Sequence, residues 1–377
     1  MVDHVPTSSR KPLRLGILGA GMIATVDYGV LPNLHHIADK VDVVAIADPV
    51  IERAERAAAE FGIPQYYASL TEMLENADID AVANLTPIPF HAATSLEIVR
   101  HGKHLVSEKP LATTMEGANA IIEAAAESGV TVVCAPPDSL FGQYAEARRL
   151  LDADTVGKVA FARVRSSHAG PGGGQEDEAW PTDPTWFYQE GSGPLFDMGV
   201  YGIHEITGLL GPAKRVTAFS GITEPTRTVR GGPFKGTEIA VTAADNNLFM
   251  LDFGGSTFAV VDGTFNVHAS KSPKVEIFAR QGTMNIYKQG SKLLELYRAD
   301  AAPGLDGWIE PKSWRQSGNE HANLLRRAII VEHLADCVRT GEHPVLSAEH
   351  ARHALEIMLA VSTSACEGRV VDLTTTF

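Results

Sequence analysis

Short apolar runs alternate with longer amphipathic segments over the first third of the chain. The runs are too short for surface helices, and apolar residues recur at helical spacing between them. Because buried parallel strands are short and apolar and are joined by helices, this alternation predicts a doubly wound α/β sheet. The predicted strands are Leu13–Leu18, Val41–Ala47, Ala81–Leu85, His104–Ser107 and Val130–Ala135.

Turn and capping signals mark the ends of the helices between these strands. Gly62 and Gly102 follow predicted helix ends, and Thr113 with Glu116 has the spacing of a capping box. Another helix is predicted over Ser139–Leu151. The helical and strand signals thus agree over this part of the chain.

The pattern changes after about residue 158, where strands follow strands. Two antiparallel hairpins are predicted, Asn247–Phe253 with Thr257–Asp262 and Lys274–Ala279 with Thr283–Tyr287, before helical spacing returns over about 319–366. This predicts a second α/β domain with a mostly antiparallel sheet. We therefore expect a flexible tail at 1–12, a first domain at 13–137 and a second at 138–377, with the C-terminal helices packing back on the first domain.

Composition narrows the classes of partner. In 377 residues, 46 acidic against 32 basic side chains give a net charge of -14, which opposes binding to nucleic acid or an anionic membrane. No apolar run is long enough to span a bilayer, and the first residues lack the apolar core of a signal peptide. The chain has three cysteines, Cys134, Cys337 and Cys366, which are widely separated and lack metal-ligand spacing. We therefore expect a cytoplasmic protein without a metal.

Two segments read as irregular. Gly170–Gln175 contains Pro and three consecutive Gly, and we expect a mobile loop that could cover a site. The segment 225–236 gathers Arg227, Arg230 and Lys235, which could contact an anionic group. The alternative for 225–236 is a solvated loop.

A dinucleotide-binding fingerprint follows the first strand. Gly19 permits a tight turn, Gly21 lets the backbone approach a pyrophosphate, and Ala24 allows close helix packing. The N-terminal amides of the next helix, at Met22 and Ile23, are expected to bind the phosphates.

Asp48 ends the second strand, where such folds place a ribose-binding carboxylate. A carboxylate there repels a 2′-phosphate, so we expect NAD in preference to NADP, unless nearby Arg53 reaches the ribose. The alternative is that the glycines only form a strand-to-helix turn and that Asp48 caps a helix.

Two groups of residues carry candidate chemistry. Lys109 follows His104–Ser107 at the carboxyl end of the predicted sheet, where it can stabilise charge on a reacting oxygen. Asp197, Tyr201 and His204 stand at i, i+4 and i+7, which predicts one helix face with Tyr201 relaying a proton, Asp197 holding Lys109 or the substrate, and His204 orienting a substrate hydroxyl. The alternative is that Lys109 is solvated. Asp197 would then cap the helix, Tyr201 would be a core aromatic and His204 a core histidine.

In order and separation, three motifs resemble the Gfo/Idh/MocA family, named for glucose-fructose oxidoreductase and inositol dehydrogenase. They are the glycine motif at 19–24, Glu-Lys-Pro at 108–110, and Gly-Pro-Leu-Phe-Asp-Met-Gly-Val-Tyr ending at Tyr201. The resemblance implies a Rossmann domain followed by an α/β domain whose large open sheet builds homodimers or homotetramers, with NAD or NADP bound. It also implies catalytic roles for Lys109 and Asp197. Many members have His four residues after that Asp, where this chain has Tyr201.

The resemblance extends to further binding residues. Thr86, Pro87 and His91 match the family's loop that contacts the nicotinamide half of the cofactor, and Glu108 joins them as a cofactor candidate. The substrate candidates beyond the catalytic helix are Arg165, His168 and Trp186.

Together these patterns predict an oxidoreductase acting on a small carbohydrate or cyclitol. A secondary alcohol of a sugar, glycoside or cyclitol gives hydride to the nicotinamide, while Tyr201 and Lys109 accept the hydroxyl proton and Asp197 positions them. Two alternatives stay open: a glycosidase that retains NAD and oxidises the sugar transiently, and a non-catalytic NAD-binding sensor.

Overall fold

The computed structural model describes residues 11–174, 180, 182–289, 292–302, 304–311 and 319–377. The expected flexible tail therefore lies outside the described residues, apart from residues 11 and 12. The chain forms two compact units. The first contains the residues up to Glu108 with Asn119–Ala135 and Asn323–Pro344; the second contains Lys109–Ala118, Pro136–Ala322 and Val345–Phe377. The functional boundary between 137 and 138 stays a prediction.

A six-stranded sheet forms the centre of the first unit. Its strands are β1 (Leu13–Leu18), β2 (Val41–Ala47), β3 (Gln65–Tyr67), β4 (Ala81–Asn84), β5 (His104–Ser107) and β6 (Val132–Cys134). They lie in the order β3-β2-β1-β4-β5-β6, and neighbouring strands are parallel. This order confirms the predicted doubly wound sheet, in which the carboxyl ends of β1 and β4 lie side by side.

Helices flank this sheet and the sheet of the second unit. The described helices are α1 (Met22–Thr25), α2 (Ile51–Phe61), α3 (Leu70–Asn76), α4 (His91–Arg100), α5 (Met115–Ser128), α6 (Gly142–Asp152), α7 (Val200–Leu210), α8 (Asn319–Leu325), α9 (Ile329–Thr340) and α10 (Ala348–Glu367). Helix α9 lies in the first unit, where it packs beside β5 and β6. None of the helices in the described part of the chain has the length and hydrophobicity needed to cross a membrane.

Two local features of the first unit differ from the sequence expectation. Strand β3 has no apolar run to reveal it, because it is a three-residue edge strand and Tyr66 within it is exposed. The cap of α5 is Thr114 rather than Thr113, since the Gly117 N–H donates to Thr114 Oγ1 at 3.1 Å. Gly62 does end α2, with a φ of +69°.

A nine-stranded sheet dominates the second unit. Its strands are β7 (Val159–Arg165), β8 (Arg215–Gly221), β11 (Asn246–Gly254), β12 (Thr257–Thr264), β13 (Val275–Ala279), β14 (Gly282–Ile286), β15 (Leu294–Ala302), β16 (Leu305–Ile309) and β17 (Val371–Asp372). The order is β16-β15-β14-β13-β7-β12-β11-β8-β17, and only β7 with β12 pairs in parallel among them. The mostly antiparallel sheet and both predicted hairpins, β11 with β12 and β13 with β14, are confirmed.

The segment 225–236 is not a loop throughout. It contains β9 (Thr226–Thr228), which pairs antiparallel with β10 (Glu238–Ala240) in a separate two-stranded sheet. Three residues are too few to show the alternating pattern that identifies a strand from sequence. The prediction of an irregular segment is therefore wrong for β9.

The nine-stranded sheet has two unlike faces. Residues of β8, β11 and β12 alternate between buried and exposed positions, and α7 and α10 pack on the buried side. The other side exposes apolar side chains that are cross-strand neighbours, such as Leu248 beside Phe219 and Met250 beside Val260. One face of the sheet is thus covered by helices, and the other presents an apolar surface.

Candidate active site

The glycine-rich turn follows β1 at the carboxyl edge of the parallel sheet. Gly19 has a φ of +96°, and a Cβ built there would lie 2.9 Å from the Leu85 carbonyl oxygen, so the turn needs glycine at this position. No atom lies within 4 Å of a Cβ built on Gly21. The backbone at Gly21 therefore faces open space, as the close approach of a pyrophosphate requires.

The helix after the glycine turn is short. It is the single turn Met22–Thr25, and its hydrogen bonds begin with the Ala24 N–H, which donates to the Gly21 carbonyl at 3.0 Å. The amides of Met22 and Ile23 precede these bonds, and N–H groups at this end of a helix have no acceptor within the helix. A single turn has a small dipole, and phosphate binding here would depend on these individual N–H groups.

Asp48 fastens the glycine turn to the start of α2. It is 5% exposed, and its Oδ2 accepts the Ala20 N–H at 2.9 Å while its Oδ1 accepts the Val50 N–H at 2.8 Å. The second contact holds the turn just before α2 and is not a helix cap, because the N-cap residue of α2 is Val50, which has no side-chain cap hydrogen bond. Each carboxylate oxygen can accept further hydrogen bonds, so a ribose-binding role for Asp48 is compatible with this geometry and stays a prediction.

A hydrogen-bond network shapes the segment after β4. Asn84 is fully buried, and its Oδ1 accepts the Thr86 hydroxyl at 2.7 Å while its Nδ2 donates to Thr94 Oγ1 at 2.7 Å. His91 is 1% exposed, and its Nε2 lies 2.7 Å from the Thr86 carbonyl oxygen. His91 therefore holds the conformation of the segment, while Thr86 and Pro87 lie on the turn itself.

Glu108 forms an ion pair within the first unit. Its Oε1 accepts a hydrogen bond from Arg327 Nη1 at 2.8 Å, and its N–H donates to the Asn84 carbonyl at 3.0 Å. Both side chains of the pair are largely buried. Glu108 thus fixes the segment before Lys109, and its contact with the cofactor stays a prediction.

Lys109 and Asp197 form an ion pair within the second unit. The Lys109 ammonium donates to the Asp197 carbonyl oxygen at 2.7 Å and to Asp197 Oδ1 at 3.0 Å. Burial raises the pKa of Asp197, but the Lys109 ammonium and the His168 ring outweigh burial and lower this pKa to about 2. Asp197 is therefore a carboxylate at neutral pH, mostly withdrawn from water.

Tyr201 and His168 border this pair. The Lys109 ammonium lies 5.2 Å from the centre of the Tyr201 ring. His168 Nδ1 accepts the Gly170 N–H at 2.8 Å, so the proton of the neutral ring is on Nε2, which lies 3.8 Å from Asp197 Oδ2. The structure thus brings together four of the predicted residues. The Lys109 ammonium and the His168 ring lie beside the Asp197 carboxylate, and the Tyr201 ring lies beside Lys109.

A π-helical turn, Leu195–Gly199, carries Asp197 into this cluster. The Val200 N–H donates to the Leu195 carbonyl, five residues earlier, and α7 follows directly. The regular helix face predicted for Asp197, Tyr201 and His204 is therefore interrupted. The wider turn changes the angle between Asp197 and the later positions.

His204 lies in a buried contact rather than in the cluster. It is 3% exposed, and its ring centre is 4.5 Å from that of His350. Burial, with smaller effects from His350 and His353, holds the pKa of His204 well below its ordinary value. This environment fits the alternative of a neutral core histidine better than a substrate contact.

The two remaining substrate candidates differ in their surroundings. Arg165 Nε donates to the Pro273 carbonyl at 2.8 Å, and its Nη2 donates to the Ser272 carbonyl. Trp186 is 44% exposed, with its ring centre 3.9 Å from that of Phe187. Arg165 is thus engaged in holding the 272–273 segment, whereas Trp186 presents an open aromatic surface.

Arg227 is neither an open anion site nor a solvated residue. Its side chain is 11% exposed, and its Nη2 donates to the buried carboxylate of Asp245 at 2.9 Å. Its Nη1 donates to the Phe265 carbonyl at 3.0 Å. The solvated alternative is wrong for this residue, because its charge is matched inside the fold; Arg230 and Lys235 are exposed, and contact of this segment with an anionic ligand stays a prediction.

The predicted loop Gly170–Gln175 is irregular as far as residue 174, and Gln175 lies outside the described residues. The Tyr188 hydroxyl donates to the Pro171 carbonyl at 2.8 Å, and the Arg230 N–H donates to the Gly172 carbonyl at 2.9 Å. These contacts hold the first part of the loop. Its mobility and its role as a cover stay predictions.

Sequence reasoning did not single out three buried or half-buried contacts of the site. They involve Asn84, Arg327 and Ser166, whose hydroxyl contacts the helix that carries Asp197. No spacing pattern marks Arg327 or Ser166, because their partners are distant in sequence, whereas the partners of Asn84 lie only 2 and 10 positions away. A polar residue at the end of an apolar strand, as at Asn84, is the only local signal.

Family models match both halves of the chain. The one described as "Oxidoreductase family, NAD-binding Rossmann fold" matches residues 13–135, and the one described as "GFO/IDH/MocA C-terminal domain" matches residues 144–285. Together they cover more than half of the chain. Both belong to the family that the sequence motifs resemble.

Characterised relatives and solved structures agree with this match. The chain is 26% identical over 361 residues to scyllo-inositol 2-dehydrogenase (NAD(+)) of Bacillus subtilis, covering 96% of each protein. It is 25% identical over 316 residues to levoglucosan dehydrogenase of Pseudarthrobacter phenanthrenivorans, covering 77% of each. An NAD-binding oxidoreductase from Klebsiella pneumoniae shares the fold with a TM-score of 0.83 at 20% identity, over 97% of this chain and 100% of that one. A levoglucosan dehydrogenase in complex with NADH gives a TM-score of 0.81 at 21% identity, with the same coverage. The chain therefore belongs to the Gfo/Idh/MocA family of oxidoreductases.

Proposed function

We propose that this chain is an NAD-dependent dehydrogenase that transfers a hydride between the nicotinamide and a secondary alcohol of a sugar, glycoside or cyclitol. The observation that carries the proposal is the buried Lys109–Asp197 ion pair beside Tyr201, an arrangement suited to moving a proton to or from an oxygen. Two relatives of the chain are named as dehydrogenases of scyllo-inositol and levoglucosan, which supports this substrate class.

The residues of the first unit fit NAD. The open space at Gly21 and the amides of Met22 and Ile23 suit a pyrophosphate, and the Asp48 carboxylate suits ribose hydroxyls. A buried carboxylate next to the adenosine ribose repels a 2′-phosphate, so we favour NAD over NADP. When bound, NAD supplies the hydride acceptor or donor.

The residues of the second unit supply proton transfer and charge. In the direction of reduction, the protonated Tyr201–Lys109 pair donates a proton to the carbonyl oxygen of the substrate. In the direction of oxidation, the pair, having lost one proton, takes the proton of the alcohol. Asp197 keeps the Lys109 side chain in place through two hydrogen bonds, and His168 faces the other oxygen of that carboxylate.

A substrate screen tests this function. Purified protein is incubated with NAD or NADP and a panel of sugars, glycosides and cyclitols, while reduced nicotinamide absorbance and product mass are recorded. We expect reduced NAD and a product two mass units lighter than one of the polyols. Cleavage of a glycoside without net reduced NAD would favour the NAD-retaining glycosidase, and binding without turnover would favour the sensor.

We also propose that a second copy of the chain covers the exposed face of the nine-stranded sheet. Five strands contribute to this apolar surface, through pairs such as Phe258 with Phe161 and Phe161 with Phe278, whose rings stack with centres 4.5 Å apart. Phe219 is 85% exposed at its edge. Continuous apolar surfaces of this kind are rare on monomers. Light scattering should give a dimer or tetramer, and Leu248→Lys with Phe219→Lys should shift it toward the monomer; a monomeric native chain would contradict this proposal.

The proposed location is the cytoplasm. All three cysteines are free thiols, and Cys366 is exposed, a state that a reducing compartment preserves. Fractionation of producing cells with thiol labelling tests this; recovery outside the cytoplasm would contradict it.

A further inference from the structure

A side chain from strand β7's end interrupts the helix that carries the candidate catalytic residues. The Gly202 N–H donates to Ser166 Oγ at 3.0 Å, although in a regular α-helix it would donate to the Met198 carbonyl four residues earlier. The Met198 carbonyl instead accepts the hydroxyl proton of Ser166. The Ser166 hydroxyl is thus inserted between the two ends of one helical hydrogen bond.

The direction of these hydrogen bonds is fixed by counting protons. A serine hydroxyl has one proton and can accept two hydrogen bonds. Ser166 Oγ accepts from the Gly202 N–H and from the Lys274 ammonium at 3.2 Å, and an ammonium can only donate. The single hydroxyl proton is therefore left for the Met198 carbonyl. Lys274 is 9% exposed, and its Nζ lies 3.4 Å from Oε2 of Glu205, a residue of α7.

The backbone geometry allows this insertion because position 202 is glycine. A Cβ built on Gly202 would lie 2.9 Å from Ser166 Cβ and 3.0 Å from Val164 Cγ1. Any side chain at 202 would push the strand away from the helix. The close approach of β7 and the hydroxyl at 166 are therefore parts of one arrangement.

The Ser166 contacts adjoin the turn that carries Asp197. Asp197 lies one residue before Met198, inside the π turn, and both its carbonyl oxygen and its Oδ1 accept from the Lys109 ammonium. If the Met198 carbonyl regained the Gly202 N–H, the turn would tighten to α-helical geometry and rotate Asp197. We propose that Ser166 is a positioning residue for the catalytic pair: its inserted hydroxyl maintains the π turn that aims Asp197 at Lys109. The kinetic consequence rests on the dehydrogenase function proposed above, whereas the structural consequence does not.

The test compares Ser166→Ala with a matched variant, Ser364→Ala. Ser364 is also a buried serine of the second unit that accepts a backbone N–H, from Ala218, and donates to a backbone carbonyl, that of Arg369. Both variants lose one bond from a backbone N–H and one to a backbone carbonyl, and Ser166→Ala also loses the contact from Lys274 Nζ at 3.2 Å, so its melting temperature should fall at least as far as that of Ser364→Ala. Only Ser166→Ala should lower kcat, by about ten- to a hundredfold, since small misplacement of reacting groups has effects of that size. Its Kd for NADH should stay within about twofold of the native value.

Crystal structures of the two variants provide a readout independent of activity. In Ser166→Ala we expect the Gly202 N–H on the Met198 carbonyl and a lost or lengthened contact between Lys109 and Asp197. An unchanged π turn and ion pair would overturn the proposal, even if kcat fell. If the native protein turns over no substrate, the proposed function fails, but this structural comparison still decides the role of Ser166.

A second replacement covers the case in which Ser166→Ala does not fold. Ser166→Cys keeps a side chain between the Met198 carbonyl and the Gly202 N–H. Its thiol is a weaker hydrogen-bond donor than the hydroxyl, and sulfur is larger than oxygen. We expect a partial loss of kcat with little change in Kd for NADH. The proposal would be overturned if Ser166→Cys folds, its Lys109–Asp197 contact is displaced, and its kcat is nevertheless native.

Discussion

The Lys109 ammonium lies 3.0 Å from Asp197 Oδ1 and 2.7 Å from the carbonyl oxygen of the same residue. The side chains are only 10% and 17% exposed, so each charge depends on the other for compensation. Because the ammonium contacts the backbone as well as the carboxylate, its position follows that of the π turn. Replacements within this pair should separate its chemical role from its structural one.

Lys109→Ala should lower kcat by about a hundredfold or more, since it removes a group that transfers a proton and stabilises charge on the reacting oxygen. Affinity for NADH should remain near native, because the glycine turn and Asp48 are unchanged. Steady-state kinetics and fluorescence titration with NADH measure the two effects. The exposed Lys214→Ala serves as a control, and an unaltered turnover in Lys109→Ala would remove this lysine from the mechanism.

Asp197→Asn keeps the shape of the side chain but removes the charge that the Lys109 ammonium faces. We expect a loss of kcat of about tenfold or more, and non-additivity when it is combined with Lys109→Ala, because the two residues act as a unit. The double variant should therefore be little worse than Lys109→Ala alone. The cycle compares kcat in the native chain, the two single variants and the double variant. If the loss of kcat in the double variant equals the product of the two single losses, the residues are not coupled.

Gly21→Ala should change the affinity for NADH, whereas Gly19→Ala should change the stability of the fold. A Cβ at Gly21 meets no atom within 4 Å, so we expect a native melting temperature with NADH affinity reduced by roughly tenfold, because the methyl occupies the pyrophosphate space. A Cβ at Gly19 meets the Leu85 carbonyl at 2.9 Å with a φ of +96°, so the melting temperature should fall by several degrees. Calorimetry with and without NADH distinguishes them, and unaltered NADH binding by Gly21→Ala would contradict the assignment of this turn.

The buried histidines behind α7 should make the protein sensitive to acid. Burial lowers the pKa of His350 to about 3 and that of His353 to about 4, from an ordinary value of 6.5. Between these values the unfolded chain binds protons that the folded chain does not, so the free energy of unfolding falls as the pH drops below 6.5. Each such histidine contributes a slope of about 1.4 kcal/mol per pH unit in this range.

His350→Gln should reduce that slope. Its amide nitrogen can replace His350 Nε2, which lies 2.7 Å from Thr207 Oγ1, without a group that takes up a proton. Urea unfolding at pH 6.5 and pH 4 should show a smaller difference for this variant than for the native protein. Replacement of exposed His36 by Gln provides the comparison, and equal slopes in His350→Gln and the native chain would disprove the role of burial.

Local sequence signals accounted for the elements around the site but not for all of its contacts. The parallel strands and both hairpins follow from apolar runs and turn residues, and the position of Lys109 follows from its place after β5. Strand β3 lacked such a run. The environment of Arg227 was wrongly interpreted because its partner, Asp245, lies 18 positions later in sequence.

The amino-acid pattern by itself determined the wound sheet, the antiparallel sheet and the glycine turn, because these depend on which residues avoid water and on backbone conformations open to glycine. Tertiary structure alone decided the π turn, the burial of His204 and the meeting of Ser166 with Met198 and Gly202. The two Ser166 hydrogen bonds join atoms 32 and 36 positions apart in sequence, and hydrophobic periodicity carries no information about such pairs. The hydroxyl of one serine thus changes the pitch of a helix whose sequence reads as regular.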